Sequence, residues 1–251
     1  GIGRITGKPG VVLTTSGPGV SNLATGLVTA TAEGDPVLAI SGQVQRTDLL
    51  RLTHQSMDNV ALLAPVTKYA AEVQEPENIS EVIANAYQEA EAAKQGASFV
   101  SVPQDVTDSE VKTAPIAPMP APVLGPASPV ESTLLAQRIK TAKLPVLLLG
   151  MRASDPETDE EKRSQRRGAY DQQFQGAGII PRELEDDFFG RVGLFRNQPG
   201  DQLLKHADLV ITVGYDPIEY EPRNWNNEGD ANIIVIDSMR AEVDKNFQPE
   251  R

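Results

Sequence analysis

A turn of small residues near the start of the chain could bring backbone atoms close to a ligand. The segment TTSGPGVSN, from Thr14 to Asn22, has Gly17, Pro18 and Gly19 at its tip, between an apolar run and a helical pattern. Because glycine carries no Cβ, such a turn either saves space in packing or lets the backbone touch a bound molecule. Both interpretations, a plain tight turn and a ligand-binding turn, are open at this point.

The spacing within the turn argues against two of three ligand classes. A Walker-type phosphate loop needs a Lys-Ser/Thr pair after its last glycine, and none follows Gly19. The dinucleotide fingerprint needs Gly or Ala three residues after its second glycine, where Asn22 stands, and no acidic residue ends the next strand. The third class is a flat heterocycle packed against small side chains, and the small residues of this turn are compatible with it.

The overall composition argues against several other functions. A formal net charge of −12 over 251 residues disfavours a nucleic-acid partner. There is no cysteine, and the two histidines, His54 and His206, are far apart, so we expect no disulfide framework, thiol nucleophile or metal site. No signal peptide or apolar run of transmembrane length is visible, so we expect a cytoplasmic protein without a membrane partner.

Strand and helix signals alternate in the first part of the chain, which predicts a parallel sheet covered on both faces. One helix should run from the turn to about Ala32, and another over Ser80–Lys94. The predicted strands are Val11–Thr15, Asp35–Gly42, Val66–Val73 and Ser98–Asp105.

A proline-dense segment, Thr113–Glu131, separates this part from a second series of strands. Proline at such density suits an extended linker, so we predict domains at 1–113 and 130–251, joined by residues 114–129. The second domain should contain a helix at Ser132–Thr141 and strands at Leu144–Gly150, Ala207–Gly214 and Ala231–Asp237. The predicted fold class is therefore α/β, with two doubly wound, mostly parallel-sheet domains.

One stretch does not fit this scheme. Asp155–Gln173 has no apolar stripe and offers only Ala169 and Tyr170 as apolar candidates near its end. Buried parallel strands are continuous apolar runs. We therefore expect this stretch to lie outside the sheet, as an exposed helix or loop, unless the recorded residues are incorrect.

The turn and its flanks resemble a known family. GKPGVVLTTSGPGVSNLATGL, from Gly7 to Leu27, resembles the pyrimidine-binding domain of thiamine-diphosphate enzymes of the pyruvate oxidase and acetolactate synthase group. Three later segments resemble the catabolic, FAD-independent acetolactate synthases in particular: LTHQSMDNVALLAPVTKYAAEV, FFGRVGLFRNQPGD and DLVITVGYDPIEYEPRNWN. The resemblance covers nearly all of the chain except Asp155–Gln173.

The resemblance implies an enzyme that condenses two pyruvates to 2-acetolactate with loss of carbon dioxide, using thiamine diphosphate and Mg²⁺ but not FAD. It implies an N-terminally incomplete pyrimidine-binding domain and a Rossmann-like central domain. The turn, with Ser16, Gly17, Pro18 and Gly19, is then expected beside the cofactor's pyrimidine ring, the two glycines keeping Cβ atoms away from it. Asn22 either binds the cofactor or has a structural role near the turn.

Three further residues carry over as candidates for catalysis. Gln55 matches a glutamine that reaches toward the reacting centre, where a neutral donor can orient an oxygen atom; the alternative is a helix-surface glutamine. His54 either contacts a pyruvate carboxylate or has a capping or packing role. Lys68 matches a lysine near the active-site entrance that attracts anionic pyruvate; otherwise it is an ordinary strand lysine.

The resemblance also places parts of the family's machinery outside this sequence. The catalytic glutamate would precede Gly1, and the domain that binds magnesium and diphosphate would follow Arg251. We therefore expect a fragment that is inactive alone and belongs to a homodimer or homotetramer. Two alternatives remain: another thiamine-diphosphate 2-oxo acid decarboxylase or pyruvate oxidase, and a non-catalytic dimerising fragment.

Overall fold

The structure is a computed structural model that describes residues 1–49, 51–122, 125–154, 169–173, 179–180, 182–193 and 198–250. The chain divides into two compact units, Gly1–Val123 and Leu124–Arg251. Each unit contains one parallel sheet, so the predicted α/β class with two parallel sheets is confirmed. The boundary between the units falls within the proline-dense segment, while the exact domain limits stay a prediction.

The first unit contains a four-stranded parallel sheet in the order β1-β2-β4-β3. Every strand predicted for this half is present, with bounds shifted by one to three residues. The strands are β1 Gly10–Thr14, β2 Val37–Gln43, β3 Tyr69–Glu72 and β4 Ala97–Pro103.

Helices cover both faces of this sheet. On one face, Val20 and Leu27 pack with Phe99 of β4, and on the other, Ala86 packs with Val100. Phe99 and Val100 are neighbours in one strand, so their side chains point to opposite faces and two apolar cores form. The helices are α1 Ile2–Thr6, α2 Pro18–Glu33, α3 Asn59–Leu63, α4 Ile79–Glu91 and α5 Gln104–Thr107.

Helix α2 starts and ends where its sequence dictates. Pro18 occupies the first turn, where its missing N–H leaves no intrahelical bond unmade. Gly34 follows the last helical residue with φ +74°, and its N–H donates to the carbonyl of Ala30. The predicted end near Ala32 is therefore confirmed to within one residue.

The first part of the proline-dense segment lies along helix α4. The N–H of Ile116 donates to Ser80 Oγ at 2.5 Å, and the N–H of Met119 donates to Gln88 Oε1 at 2.6 Å. The segment predicted as a linker from residue 114 is thus attached to the first unit as far as Met119.

The second unit contains a five-stranded parallel sheet in the order β7-β6-β5-β8-β9. The chain starts at the central strand β5, adds β6 and β7 on one side, and then returns to add β8 and β9 on the other. The topological switch point therefore lies between β5 and β8. The strands are β5 Pro145–Leu149, β6 Ala169–Gln173, β7 Phe188–Val192, β8 Leu209–Val213 and β9 Ile233–Ile236.

Two longer helices in the described part of this unit are α6, Pro129–Thr141, and α7, Pro199–His206. Helix α6 begins three residues before its predicted start because Ser128 and Glu131 form a capping box. The serine hydroxyl accepts the N–H of Glu131 at 3.2 Å, and the glutamate carboxylate accepts the N–H of Ser128 at 3.4 Å.

The prediction that Asp155–Gln173 lies outside the sheet is wrong at its C-terminal end. Ala169–Gln173 forms strand β6, which pairs in parallel with β5 on one side and with β7 on the other. Strand formation depends on pairing with neighbouring strands as well as on residue type, so a position between two strands can override a polar sequence. The remainder of the predicted stretch, residues 155–168, lies outside the described residues.

Candidate functional site

The Gly-Pro-Gly turn lies at the carboxyl edge of the first sheet, between β1 and α2. Gly17 has φ +60°, a backbone region that favours glycine, and it is buried, whereas Pro18 is exposed. Open α/β sheets bind ligands at this edge. The turn therefore presents a surface with few side-chain atoms at the place where a ligand is expected.

Gln55 lies against this turn although it is about forty residues away in the sequence. Its carbonyl accepts a hydrogen bond from Ser16 Oγ at 2.9 Å, and its Oε1 accepts one from Thr15 Oγ1 at 3.4 Å. Its φ is +63°, and among the residues that the structure describes no other non-glycine residue has a positive φ. The structure thus joins the predicted catalytic glutamine to the predicted cofactor turn.

Both glycines of the turn are in close contact with other parts of the protein. A Cβ on Gly17 would lie 3.1 Å from Gln55 Cβ and 3.3 Å from its carbonyl oxygen. A Cβ on Gly19 would lie 2.4 Å from Thr14 Oγ1 and 2.9 Å from Thr15 Cγ2. The fold itself therefore requires glycine at both positions. Contact of these glycines with a pyrimidine ring stays a prediction.

Gln43, the last residue of β2, links the turn to the loop that carries Gln55. Its Nε2 donates to the carbonyl of Met57 at 2.7 Å, and its Oε1 accepts from the N–H of Val44 at 3.0 Å. The same Oε1 lies 3.1 Å from Ser16 Oγ. Our sequence reasoning missed Gln43, although an amide that ends an apolar strand at the ligand-facing edge was the available signal.

The loop between β2 and α3 is fixed at both of its ends. Arg46 Nε donates to Asp105 Oδ2 at 2.7 Å, and this hydrogen bond holds the pKa of Asp105 below its ordinary value. At the other end, Asp58 Oδ1 accepts the N–H of Ala61 at 2.8 Å and caps helix α3. Gln55 therefore lies on a loop that is anchored to helix α5 at one end and to helix α3 at the other.

His54 and Asn22 are both exposed, one beside Gln55 on the loop and the other on helix α2 just after the turn. Exposure is compatible with a ligand contact and equally with a structural role at the surface. For His54 and Asn22, the choice between these two roles therefore stays a prediction.

Lys68 is not brought to the turn. It precedes β3 and its N–H pairs with the carbonyl of Ala97, the first residue of β4, so it lies at the amino edge of the sheet. Strands rise about 3.3 Å per residue, which separates the two edges by roughly 15 Å or more. Its Nζ donates to the carbonyls of Glu89 and Ala92, each at 2.6 Å, at the end of helix α4. Burial lowers the pKa of Lys68. Lys68 thus caps the end of helix α4, and its attraction of pyruvate stays a prediction that this placement does not favour.

Arg152 forms the centre of an ionic cluster at the carboxyl edge of the second sheet. Its Nη1 donates to Asp216 Oδ2 at 2.8 Å, and its Nη2 donates to Asp237 Oδ2 and to the carbonyl of Tyr215, each at 2.7 Å. Burial opposes the charge of Arg152, but the bonds to the two carboxylates outweigh it and raise its pKa. This cluster lies at the switch point between β5 and β8.

Within the described ranges, no group of three or more His, Cys, Asp or Glu side chains is arranged to hold a metal ion. No helix in these ranges combines the length and apolarity needed to cross a membrane.

Two family descriptions match this sequence. Residues 1–62 match "Thiamine pyrophosphate enzyme, N-terminal TPP binding domain", and residues 133–251 match "Thiamine pyrophosphate enzyme, central domain". The chain belongs to the thiamine pyrophosphate enzyme family. The first match contains both the Gly-Pro-Gly turn and Gln55, so the site that they form lies within the cofactor-binding domain of this family.

Among curated relatives, the chain is similar to an acetolactate synthase of Bacillus subtilis (strain 168), with 52% identity over 99% of this chain and 44% of the relative. It is similar to a catabolic acetolactate synthase of Raoultella terrigena, with 46% identity over 99% of this chain and 45% of the relative. A probable acetolactate synthase large subunit of Methanocaldococcus jannaschii is 30% identical over 99% of this chain and 44% of that relative. The chain thus spans less than half the length of these relatives.

Proposed function

We propose that this chain supplies the pyrimidine-binding and central portions of a longer acetolactate synthase, which condenses two pyruvates to 2-acetolactate with release of carbon dioxide. By the longer protein we mean a protein of the relatives' length that contains this chain. The observation that carries the proposal is the contact of Gln55 with the Gly-Pro-Gly turn, inside the matched cofactor-binding domain. Identities of 52% and 46% to proteins named acetolactate synthase support the choice of reaction.

The residues of the turn suit the pyrimidine end of thiamine diphosphate. Ser16, Gly17 and Gly19 have small side chains or none, and the exposed Pro18 leaves the tip open to a flat ring. When bound, the cofactor supplies the electron sink that allows pyruvate to lose carbon dioxide. The described residues hold no cluster of Mg²⁺ ligands, so we assign the metal to another part of the longer protein.

Gln55 is the residue that we propose acts on the reacting molecule. Thr15 Oγ1 holds the oxygen end of its side-chain amide, which leaves the nitrogen end to donate a hydrogen bond. The side chain is half-buried, so such a donor is more effective than it would be in bulk water. Its role is to orient an oxygen of the substrate or of a reaction intermediate, with His54 next to it on the same loop.

We propose further that the central unit holds no FAD. A dinucleotide diphosphate binds at a switch point through glycine-rich backbone and the positive end of a helix. Here the guanidinium of Arg152 at that point is already engaged by two carboxylates, Asp216 and Asp237, and is therefore not open to a diphosphate. Residues 130–251 also lack the dinucleotide fingerprint.

Two further features, the location and the oligomeric state, belong to the proposal. The longer protein should be cytoplasmic, and it should assemble as a homodimer or homotetramer. Both are proposals that solution measurements would test.

The function is tested by incubating the longer protein with pyruvate, thiamine diphosphate and Mg²⁺. We expect stoichiometric release of carbon dioxide and formation of 2-acetolactate, from a protein without a flavin absorption band. Acetaldehyde or an oxidised acetyl product would instead identify a decarboxylase or a pyruvate oxidase. A protein that consumes no pyruvate would contradict the proposal outright.

A further inference from the structure

We propose that Gln43 is a positioning residue that holds Gln55 in its working conformation, together with the hydroxyl of Ser16. This inference rests on the proposed function and deepens its site. Gln43 does not act on the reacting molecule itself in this proposal. It acts by fixing the loop on which Gln55 lies.

Gln55 needs such support because of its backbone conformation. A non-glycine residue with φ near +60° is strained, and it persists only where surrounding contacts hold it. Strain of this kind is useful at a site because it fixes the direction of one side chain. If the support is removed, Gln55 relaxes toward an ordinary backbone conformation and its amide moves.

Two carbonyls of the loop are held, one on Gln55 and one two residues later. Ser16 Oγ donates to the carbonyl of Gln55 at 2.9 Å, and Gln43 Nε2 donates to the carbonyl of Met57 at 2.7 Å. These bonds hold the backbone on the C-terminal side of Gln55, so a change of its φ cannot be absorbed on that side without breaking one of them.

The orientation of the Gln43 amide is set by its other partners. Its Oε1 accepts the N–H of Val44 at 3.0 Å, so the nitrogen end is the one directed at Met57. Ser16 Oγ lies 3.1 Å from the same Oε1 and has one proton, which it shares between Gln43 and the carbonyl of Gln55. Gln43, Ser16 and Gln55 therefore form one connected network.

Gln43 is a rigid support. It is 5% exposed, Ser16 is 6% exposed, and Gln43 belongs to β2, where it pairs in register with Pro103 of β4. Side chains on a paired strand are held more precisely than those on a loop. The network thus transfers the rigidity of the sheet to a strained residue on a loop.

The test is a double-mutant cycle in the longer protein, with steady-state formation of 2-acetolactate as the readout. We expect Gln43→Ala to lower kcat between about 10-fold and 100-fold, the scale for displacement of a reacting group by about 1 Å. The KM for pyruvate and the affinity for thiamine diphosphate should change less than about threefold. In the Gln55→Ala background, Gln43→Ala should change kcat by less than about twofold, because the residue through which it acts is gone.

Three comparisons make the result decisive. Ser16→Ala removes only a hydroxyl and should lower kcat by less than Gln43→Ala does. This loss should again be absent in the Gln55→Ala background. Gln45→Ala, an exposed glutamine two residues along the same segment, should leave kcat unchanged. Circular dichroism and the thermal midpoint show whether each variant folds. A merely structural effect of Gln43→Ala would lower kcat in both backgrounds.

Equal losses of kcat from Gln43→Ala in both backgrounds would overturn the inference, as would unchanged kcat in the single variant. These results are distinct from failure of the proposed function, in which the unmodified protein makes no 2-acetolactate at all.

Discussion

Gln55 holds a backbone conformation that favours glycine, and this strain can be measured at the scale of a single residue. Gln55→Gly in the longer protein should raise the free energy of unfolding by up to about 1 kcal/mol, because the left-handed conformation is unfavourable for residues with a Cβ. Turnover should fall steeply at the same time, since the amide is lost. Chemical denaturation and acetolactate assays on one preparation measure both.

Gln45→Gly is the matched control for this prediction. Gln45 has φ −56°, which any residue adopts, so glycine there adds only flexibility to the unfolded chain and should lower stability. A fall in stability for both variants would show that Gln55 is not strained.

At this scale the sequence predicted some residues and missed others for a definite reason. Ser16, Gly17 and Gln55 belong to recognisable segments, so their types could be interpreted. The bond between Ser16 and Gln55 joins residues 39 apart, and the one between Ser16 and Gln43 joins residues 27 apart. Such contacts depend on which strand edges meet, and no local pattern records that.

Replacing Lys68 distinguishes a structural role of this residue, the capping of helix α4, from a role in the reaction. Lys68→Met keeps the apolar stem but removes the ammonium from two helix carbonyls, so the free energy of unfolding should fall by about 1 kcal/mol. The KM for pyruvate should not change. A raised KM with unchanged stability would support the role first predicted for this lysine. Lys112→Met, at an exposed lysine, is the control.

The loops at the switch point of the second sheet approach each other at Gly214. A Cβ there would lie 2.3 Å from the backbone nitrogen of Ala153 and 2.6 Å from the carbonyl carbon of Arg152, and φ is +58°. Gly214→Ala should therefore lower the free energy of unfolding by about 2–4 kcal/mol, from overpacking and backbone strain together. Gly125→Ala, with no atom within 4 Å of the added Cβ, should leave it nearly unchanged. Equal denaturation midpoints for both variants would contradict this packing.

Apolar continuity decided which elements could be predicted. Strands β2, β4 and β8 are largely apolar and largely buried runs, and their positions were predicted to within a few residues. Strand β6 was not, because AYDQQ carries no such pattern and its place follows from two neighbouring strands. Sheet order is a property of the whole unit, and a five-residue window does not contain it.

At the scale of the whole molecule, the two units divide the proposed work. The first unit carries the turn, Gln55 and its supports, whereas the second carries an ionic cluster at the position where related folds bind nucleotides. The proline-dense segment between them belongs to the first unit as far as Met119. Composition predicted a boundary there, but the attachment to helix α4 depends on side chains of that helix and could not be read from proline content.

The most direct test of the proposed site is the turnover number of Gln55→Ala in the longer protein. Loss of one preorganised hydrogen-bond donor should lower kcat for 2-acetolactate formation by roughly 10²-fold, with little change in affinity for thiamine diphosphate. A kcat within about twofold of the unmodified protein would contradict a role for Gln55 in the reaction.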